Sequence, residues 1–205
     1  MLDRFRTGWR KIMTPPAKLL LRLGLSPDVI TWLGTIGTVV VALSFFPRGW
    51  LWQGPLVMLL FIFSDSLDGT MARLSGRQSN WGAFLDATLD RVADGAVFGG
   101  LALYYAGPGN SQLWAGLSIA ALVLGQVTSY SKARGEAQGF TVDVGLVGRA
   151  DRLLIVLVGA LLTGLGLDWA LKVTMGYLVV GGAITVGQRI ATVHKQAHTA
   201  EEPRG

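Results

Sequence analysis

Four aspartates carry the chemistry this sequence offers. Asp65 and Asp68 stand three residues apart in Asp65-Ser-Leu-Asp-Gly-Thr-Met-Ala-Arg73, and Asp86 and Asp90 stand four apart just beyond Gly82. On a helix, each pair shares one face. Brought together, four carboxylates repel unless they are protonated or bind cations. Oxygen ligands in this number suit Mg²⁺, Mn²⁺ or Ca²⁺ rather than zinc. Such cations bridge phosphate oxygens and take up charge on a leaving group, which suits a reaction at a pyrophosphate.

The surroundings are apolar. Of 205 residues, 51% are hydrophobic and 15% charged, against about 25% charged in an ordinary soluble domain. Mean hydropathy is +0.46. Carboxylates are costly in a bilayer, so an intramembrane cluster marks a functional site. The absence of cysteine excludes disulfides and thiolate metal sites. A net charge of +5 with basic residues near helix ends fits membrane orientation and anionic headgroups rather than nucleic acid. The 28 glycines fit close helix packing in a membrane. Ahead of Pro15-Pro16 there is neither the long apolar stretch nor the cleavage site of a signal peptide.

The elements that must position the aspartates follow from periodicity and turn residues. The reading is an all-α integral membrane protein, with six transmembrane helices preceded by an amphipathic interfacial helix. Residues 1–25 form the juxtamembrane segment, 26–196 the six-helix catalytic domain and 197–205 a polar, disordered tail. Over residues 2–13, Leu2, Phe5, Trp9 and Ile12 make an apolar stripe with Arg4, Arg6, Arg10 and Lys11 off it. Thr14-Pro15 is expected to restart the helix. The spans are expected near 27–46, 50–74, 82–106, 113–130, 153–165 and 169–192. Asp65 and Asp68 then lie toward the Arg73 end of the second span, and Asp86 and Asp90 near the start of the third. A hairpin brings both pairs to one depth. Basic residues concentrate in the N-terminus, the 73–81 and 132–152 loops and the C-terminus, which puts both termini and the aspartates on the cytoplasmic side of the cell membrane.

Asp-x2-Asp-Gly-x2-Ala-Arg-x8-Gly-x3-Asp-x3-Asp resembles the signature of the CDP-alcohol phosphotransferase family, with every fixed position present. The resemblance implies Asp65, Asp68, Asp86 and Asp90 as metal ligands, for two Mg²⁺ or Mn²⁺ ions, with Asp90 also the general base for an acceptor hydroxyl. It implies CDP-lipid contacts at Gly69, Arg73 and Ser79, and in Asp28-Val29-Ile30-Thr31, where Asp28 replaces the commoner Asn. Ser79 is equally suited to capping the third span. Asp94, outside the signature, is expected to make a salt bridge to Arg91 or a neighbour.

A second basic set, Lys132, Arg134, Arg149, Arg152 and Arg189, comes from the ends of three spans. Converged, these residues make a pocket for a phosphate monoester. Within the family the chain is similar to an actinobacterial branch that joins CDP-diacylglycerol to myo-inositol 3-phosphate. That likeness also implies a homodimer, with glycine-rich faces of the third and fourth spans available. Glycerol 3-phosphate is the alternative acceptor, because the same basic pocket serves it. A cation or proton transporter using the aspartates as a relay is the alternative from another class.

Overall fold

The computed structural model describes residues 2–76 and 79–201, and their side chains apart from residues 2–11, 65, 150, 200 and 201. Every regular element among the described residues is helical: α1 Leu2–Arg22, α2 Pro27–Phe45, α3 Gln53–Ser75, α4 Asn80–Ala106, α5 Gln112–Ala137, α6 Arg149–Gly164 and α7 Ala170–Glu201, with a 3-10 turn at Phe46–Arg48. Six helices follow the N-terminal one, as the periodicity predicts.

The last six close into a ring. α2 packs on both α3 and α4, α4 on α5, α5 on α7, α7 on α6, and α6 back on α3. The two aspartate-bearing helices are therefore joined chiefly through α2. Glycines let α2 approach so closely: a Cβ at Gly100 of α4 would stand 2.5 Å from the Ala42 carbonyl, and Gly34 and Gly37 face Ser64 and Phe61 of α3 with no room for a side chain. The fully buried core gathers Phe46, Met58, Phe98, Leu101, Leu171 and Met175. Along α3, Met58 is ten residues before Asp68, roughly 15 Å, so the core lies toward the far end of the bundle.

The exterior is apolar. Trp32, Ile36, Val40, Leu60, Val123, Val173 and Val180 are all exposed, a distribution suited to lipid. Four segments are long and apolar enough to cross a bilayer: 27–48, 53–75, 112–137 and 170–199. α4 is long enough, with 27 residues, but carries Asp86, Asp90, Arg91 and Asp94 between its start and just past its middle. α6 has 16 residues, about 24 Å, shorter than a hydrocarbon core of about 30 Å.

Two expectations are corrected. α1 does not restart at Thr14-Pro15 but runs unbroken through both prolines. Met13 and Ala17, one turn apart across the prolines, are both buried and carry one packing stripe through them. The segment from His194 to Glu201 is not disordered but helical. Its side chain Gln196 grips the 138–148 loop: the Thr141 N–H donates to Gln196 Oε1 at 3.0 Å, and Gln196 Nε2 donates to the Thr141 carbonyl at 2.8 Å. Such a tertiary tie is invisible to local composition.

Candidate active site

Local chemistry sets the helix starts that frame the site. Pro27 occupies the first turn of α2, where a missing N–H costs nothing, and Ser26 Oγ accepts the Val29 N–H at 3.3 Å. Ser79 caps α4 by accepting the Gly82 N–H at 3.0 Å. Asp28 accepts from Trp81 Nε1 at 3.1 Å, tying the start of α2 to the start of α4.

Between these starts and the end of α3 lies a cavity of about 340 Å³, lined in part by Asp28, Thr31, Asp68, Gly69, Arg73, Ser79 and Asp86. Thr31 Oγ1 lies 2.5 Å from Asp68 Oδ2, and the Gly69 N–H donates to Asp68 Oδ1 at 2.5 Å, so the carboxylate is fixed at both oxygens. Arg73 Nη2 donates to Thr70 Oγ1 at 3.1 Å, which orients its fork. A Cβ at Gly69 would meet nothing within 4 Å, because it would enter the cavity. Val29 is exposed, and Ile30 packs with Ala17 and Met71; neither lines this cavity.

A second cavity, of about 690 Å³, opens between α4, α5, α6 and α7. Asp86, Asp90, Arg91, Lys132, Arg149 and Arg189 all line it, with Gln126, Ser129 and Tyr130 among its other walls. Asp86 borders both cavities. Arg149 pairs with Asp90 Oδ1. Lys132 Nζ is held by Asp143 at 2.7 Å and Glu136 at 3.5 Å. Asp143 stands in the loop outside the helices, and the hydrogen bond from Lys132 holds its carboxyl below the usual carboxylate range. Arg189 donates through Nε to the Val144 carbonyl at 3.0 Å and through Nη1 to the Thr128 carbonyl.

The rest of the basic set lies elsewhere. Arg152 is only 3% exposed and Asp94 only 2%. They form an ion pair at 2.8 Å, which gives Asp94 the salt bridge expected of it, with Arg152 as the partner. Gly125 makes room for that guanidinium: a Cβ there would come 2.8 Å from Arg152 Nε. Arg134 is exposed and lines neither cavity. Arg149 and Arg152 lie in the first turn of α6, one residue into the helix and beyond, rather than ahead of it. Asp151 there accepts the Gly148 N–H at 3.1 Å and sets the helix start. Asp90–Arg149 and Asp94–Arg152 are thus successive rungs between α4 and α6.

A third cavity, of about 320 Å³, runs between α3 and α6 along Leu56, Leu59, Ile62, Leu153 and Leu157. Ser66 and Arg149 form its polar border.

The Asp65 side chain lies outside the described residues, and among the described residues no three acidic or histidine side chains gather as a ready ion site. The donor set nonetheless suits a hard cation: Asp68, Asp86 and Asp90 offer only oxygen, and Asp68 is oriented from behind by Thr31. Arg91, Gln126 and Trp81 are site residues the sequence reading passed over. For Arg91 a signal existed, since it directly follows Asp90. For Gln126 and Trp81 none did, because their bonds span 35 and 53 residues.

The model of the CDP-alcohol phosphatidyltransferase family matches residues 24–186, which include the lining of the first cavity and all of the second apart from Arg189. The chain belongs to the CDP-alcohol phosphatidyltransferase family. Within this family it is 54% identical over 203 residues to a phosphatidylinositol phosphate synthase of Cutibacterium acnes, covering 95% of this chain and 98% of that one. It is 48% identical to a phosphatidylinositol phosphate synthase of Streptomyces avermitilis, covering 98% and 86%. Among solved structures it is similar to the Mycobacterium tuberculosis phosphatidylinositol phosphate synthase with CDP-DAG bound, at a TM-score of 0.86 and 45% identity, covering 89% of this chain and 94% of that one. The same enzyme in complex with manganese and citrate matches at a TM-score of 0.83, 45% identity and 88% of each chain. Membership in a transferase family removes the transporter alternative.

Proposed function

We propose that this chain is a phosphatidylinositol phosphate synthase, moving the phosphatidyl group of CDP-diacylglycerol to a hydroxyl of myo-inositol 3-phosphate. The observation that carries this reading is the pair of adjoining cavities with Asp86 as their common wall. The cavity with Asp68, Gly69 and Arg73 takes the CDP moiety. The cavity with Lys132, Arg149 and Arg189 takes the acceptor phosphate. The α3–α6 groove takes an acyl chain, since its apolar run ends at polar groups beside the second cavity.

Asp65, Asp68, Asp86 and Asp90 would hold divalent cations, Mg²⁺ or the Mn²⁺ seen with the mycobacterial relative. When bound, they neutralise pyrophosphate charge and stabilise the leaving CMP. Arg73 presents a planar donor fork to a phosphate oxygen. Arg149 fixes the position of the Asp90 carboxylate. Asp90 accepts the proton of the acceptor hydroxyl, whose oxygen bonds to the β-phosphorus while the bond from that phosphorus to the CMP oxygen breaks. Arg189, held by two backbone carbonyls, keeps the 138–148 loop against α5 at the acceptor end.

The protein spans the cell membrane six times, α4 and α6 included, with its termini and site facing the cytoplasm. A short α6 fits if Arg149 and Arg152 begin it within the protein rather than in lipid. It works as a homodimer. On α4, Gly95 and Gly99 form a small-x3-small face where added Cβ atoms would meet nothing within 4 Å, flanked by exposed Val92 and Leu103.

The deciding experiment measures CMP release by purified protein given CDP-diacylglycerol and Mg²⁺, with inositol phosphate, inositol or glycerol 3-phosphate. Release with inositol phosphate alone is expected. Release with glycerol 3-phosphate instead would overturn the acceptor assignment and leave the CDP site standing.

A further inference from the structure

The basic groups named from the sequence are largely satisfied within the protein. Arg152 belongs to Asp94, Lys132 to Asp143 and Glu136, and Arg189 to two carbonyls. Arg91 is different. It lines the second cavity on the α4 wall, immediately after Asp90, and its backbone is pinned by Gln126 Nε2, which donates to the Arg91 carbonyl at 3.1 Å. Its guanidinium is not pinned. Nε is buried without an acceptor, and Nη2 stands 3.8 Å from Asp90 Oδ2, beyond hydrogen-bond length. Asp90 is meanwhile engaged by Arg149. The guanidinium makes no hydrogen bond to any described residue, although the group carries five donors. Beyond its loose ion pair with Asp90, a half-buried cation with a buried Nε and donors so underused is costly unless a ligand completes it.

We infer that Arg91 is an acceptor-binding residue, which donates to the phosphate of the incoming phosphate monoester and separates charged acceptors from neutral ones. The cavity shape supports this. Arg91 and Asp90 share the α4 wall, so a ligand bound to Arg91 by its phosphate keeps its remaining hydroxyls in the same chamber as Asp90. A planar fork also binds phosphate at two oxygens, a geometry that Lys132 cannot offer. The inference rests on the acceptor being a phosphate monoester, as proposed above.

The test uses the full chain in detergent or nanodiscs, with Arg91→Gln, Arg91→Lys and Arg91→Ala. Thermal unfolding screens the variants for folding, and Arg91→Lys keeps the charge if the neutral variants fail. Two readouts are taken: KM for inositol phosphate against KM for CDP-diacylglycerol, and binding of inorganic phosphate by calorimetry. The expected result for Arg91→Gln is an acceptor KM raised about 10- to 100-fold, the range lost with one or two charge-assisted hydrogen bonds. The CDP-lipid KM should stay within about twofold and phosphate binding should weaken in parallel, with Arg91→Lys recovering only part. An unchanged acceptor KM with unchanged phosphate binding would overturn the inference. So would a fall in kcat alone, which would make Arg91 a positioning residue for Asp90. If wild-type protein prefers glycerol 3-phosphate, the proposed acceptor fails, yet the phosphate-binding comparison still decides the role of Arg91.

Discussion

Arg149 and Asp90 meet across the second cavity, a residue in the first turn of α6 pairing with the last aspartate of the motif. The side chain assigned to the acceptor and the one assigned to proton transfer are thus bonded to each other. Asp90→Asn should abolish turnover while leaving CDP-lipid binding intact. Arg149→Ala should lower kcat and raise the acceptor KM together, each by about tenfold or more, because it removes a charge-assisted bond to the base. Steady-state kinetics with both substrates varied would check this. An Arg149→Ala enzyme with normal kcat would break the link.

The second rung, Asp94–Arg152, should govern stability. Removing one partner of a buried pair leaves an uncompensated charge, at a cost of about 3–5 kcal/mol. Arg152→Ala should therefore lower the unfolding temperature strongly in detergent. Asp94→Leu with Arg152→Met should recover much of the loss, since an apolar pair of similar size is often as stable. A single variant as stable as wild type would show that the pair is not a structural anchor.

Thr31 orients Asp68 from behind. Thr31→Val keeps the shape and removes the hydroxyl. Outer-sphere changes of this kind cost about 10- to 100-fold in metal affinity or activity. A Mn²⁺ titration of activity should show a rightward shift. If the titration is unmoved, Asp68 is held without Thr31.

Gly69→Ala separates stability from binding. Alanine is favoured over glycine within a helix by about 0.8–1 kcal/mol. Its methyl group would clash with nothing, since it points into the first cavity. The variant should melt at the same temperature or higher and still bind the CDP-lipid less tightly, by several-fold. Unchanged CDP-lipid KM would place the nucleotide elsewhere.

The pH dependence follows from Asp143. Its lowered pKa means the pair with Lys132 persists from the usual carboxylate range up to the alkaline range where lysine loses its proton, and on the acid side is lost only below the usual carboxylate range. Between pH 5 and 8 the acceptor itself titrates, since a phosphate monoester has a second pKa near 6. The acceptor KM should fall as pH rises through about 6, and Asp143→Asn should leave that inflection in place. A displaced inflection would mean that the loop carboxylate titrates with the substrate.

The features set by local pattern were legible in the sequence. The aspartate spacing, the caps at Ser26 and Ser79 and the open face at Gly69 depend on residues within a turn or two of each other. Six helices followed from periodicity. What stayed hidden depends on distant partners. Nothing near Arg152 announces Asp94, 58 residues away, so composition cannot separate a buried structural arginine from one facing a substrate. The unbroken α1 and the helical end of α7 are held by packing and by Gln196, which override a proline pair and a polar tail. In the sequence Arg91 reads only as a salt-bridge partner for Asp94, because the motif draws attention to its neighbour Asp90.

One carboxylate, Asp86, faces both chambers, so neither substrate need leave before the other arrives. Donor and acceptor can sit side by side and exchange a phosphatidyl group directly, with no protein-bound intermediate to store it. Such a layout is that of a single displacement through a ternary complex. It requires intersecting rather than parallel lines in double-reciprocal plots, and inversion of configuration at a phosphorus made chiral with oxygen isotopes.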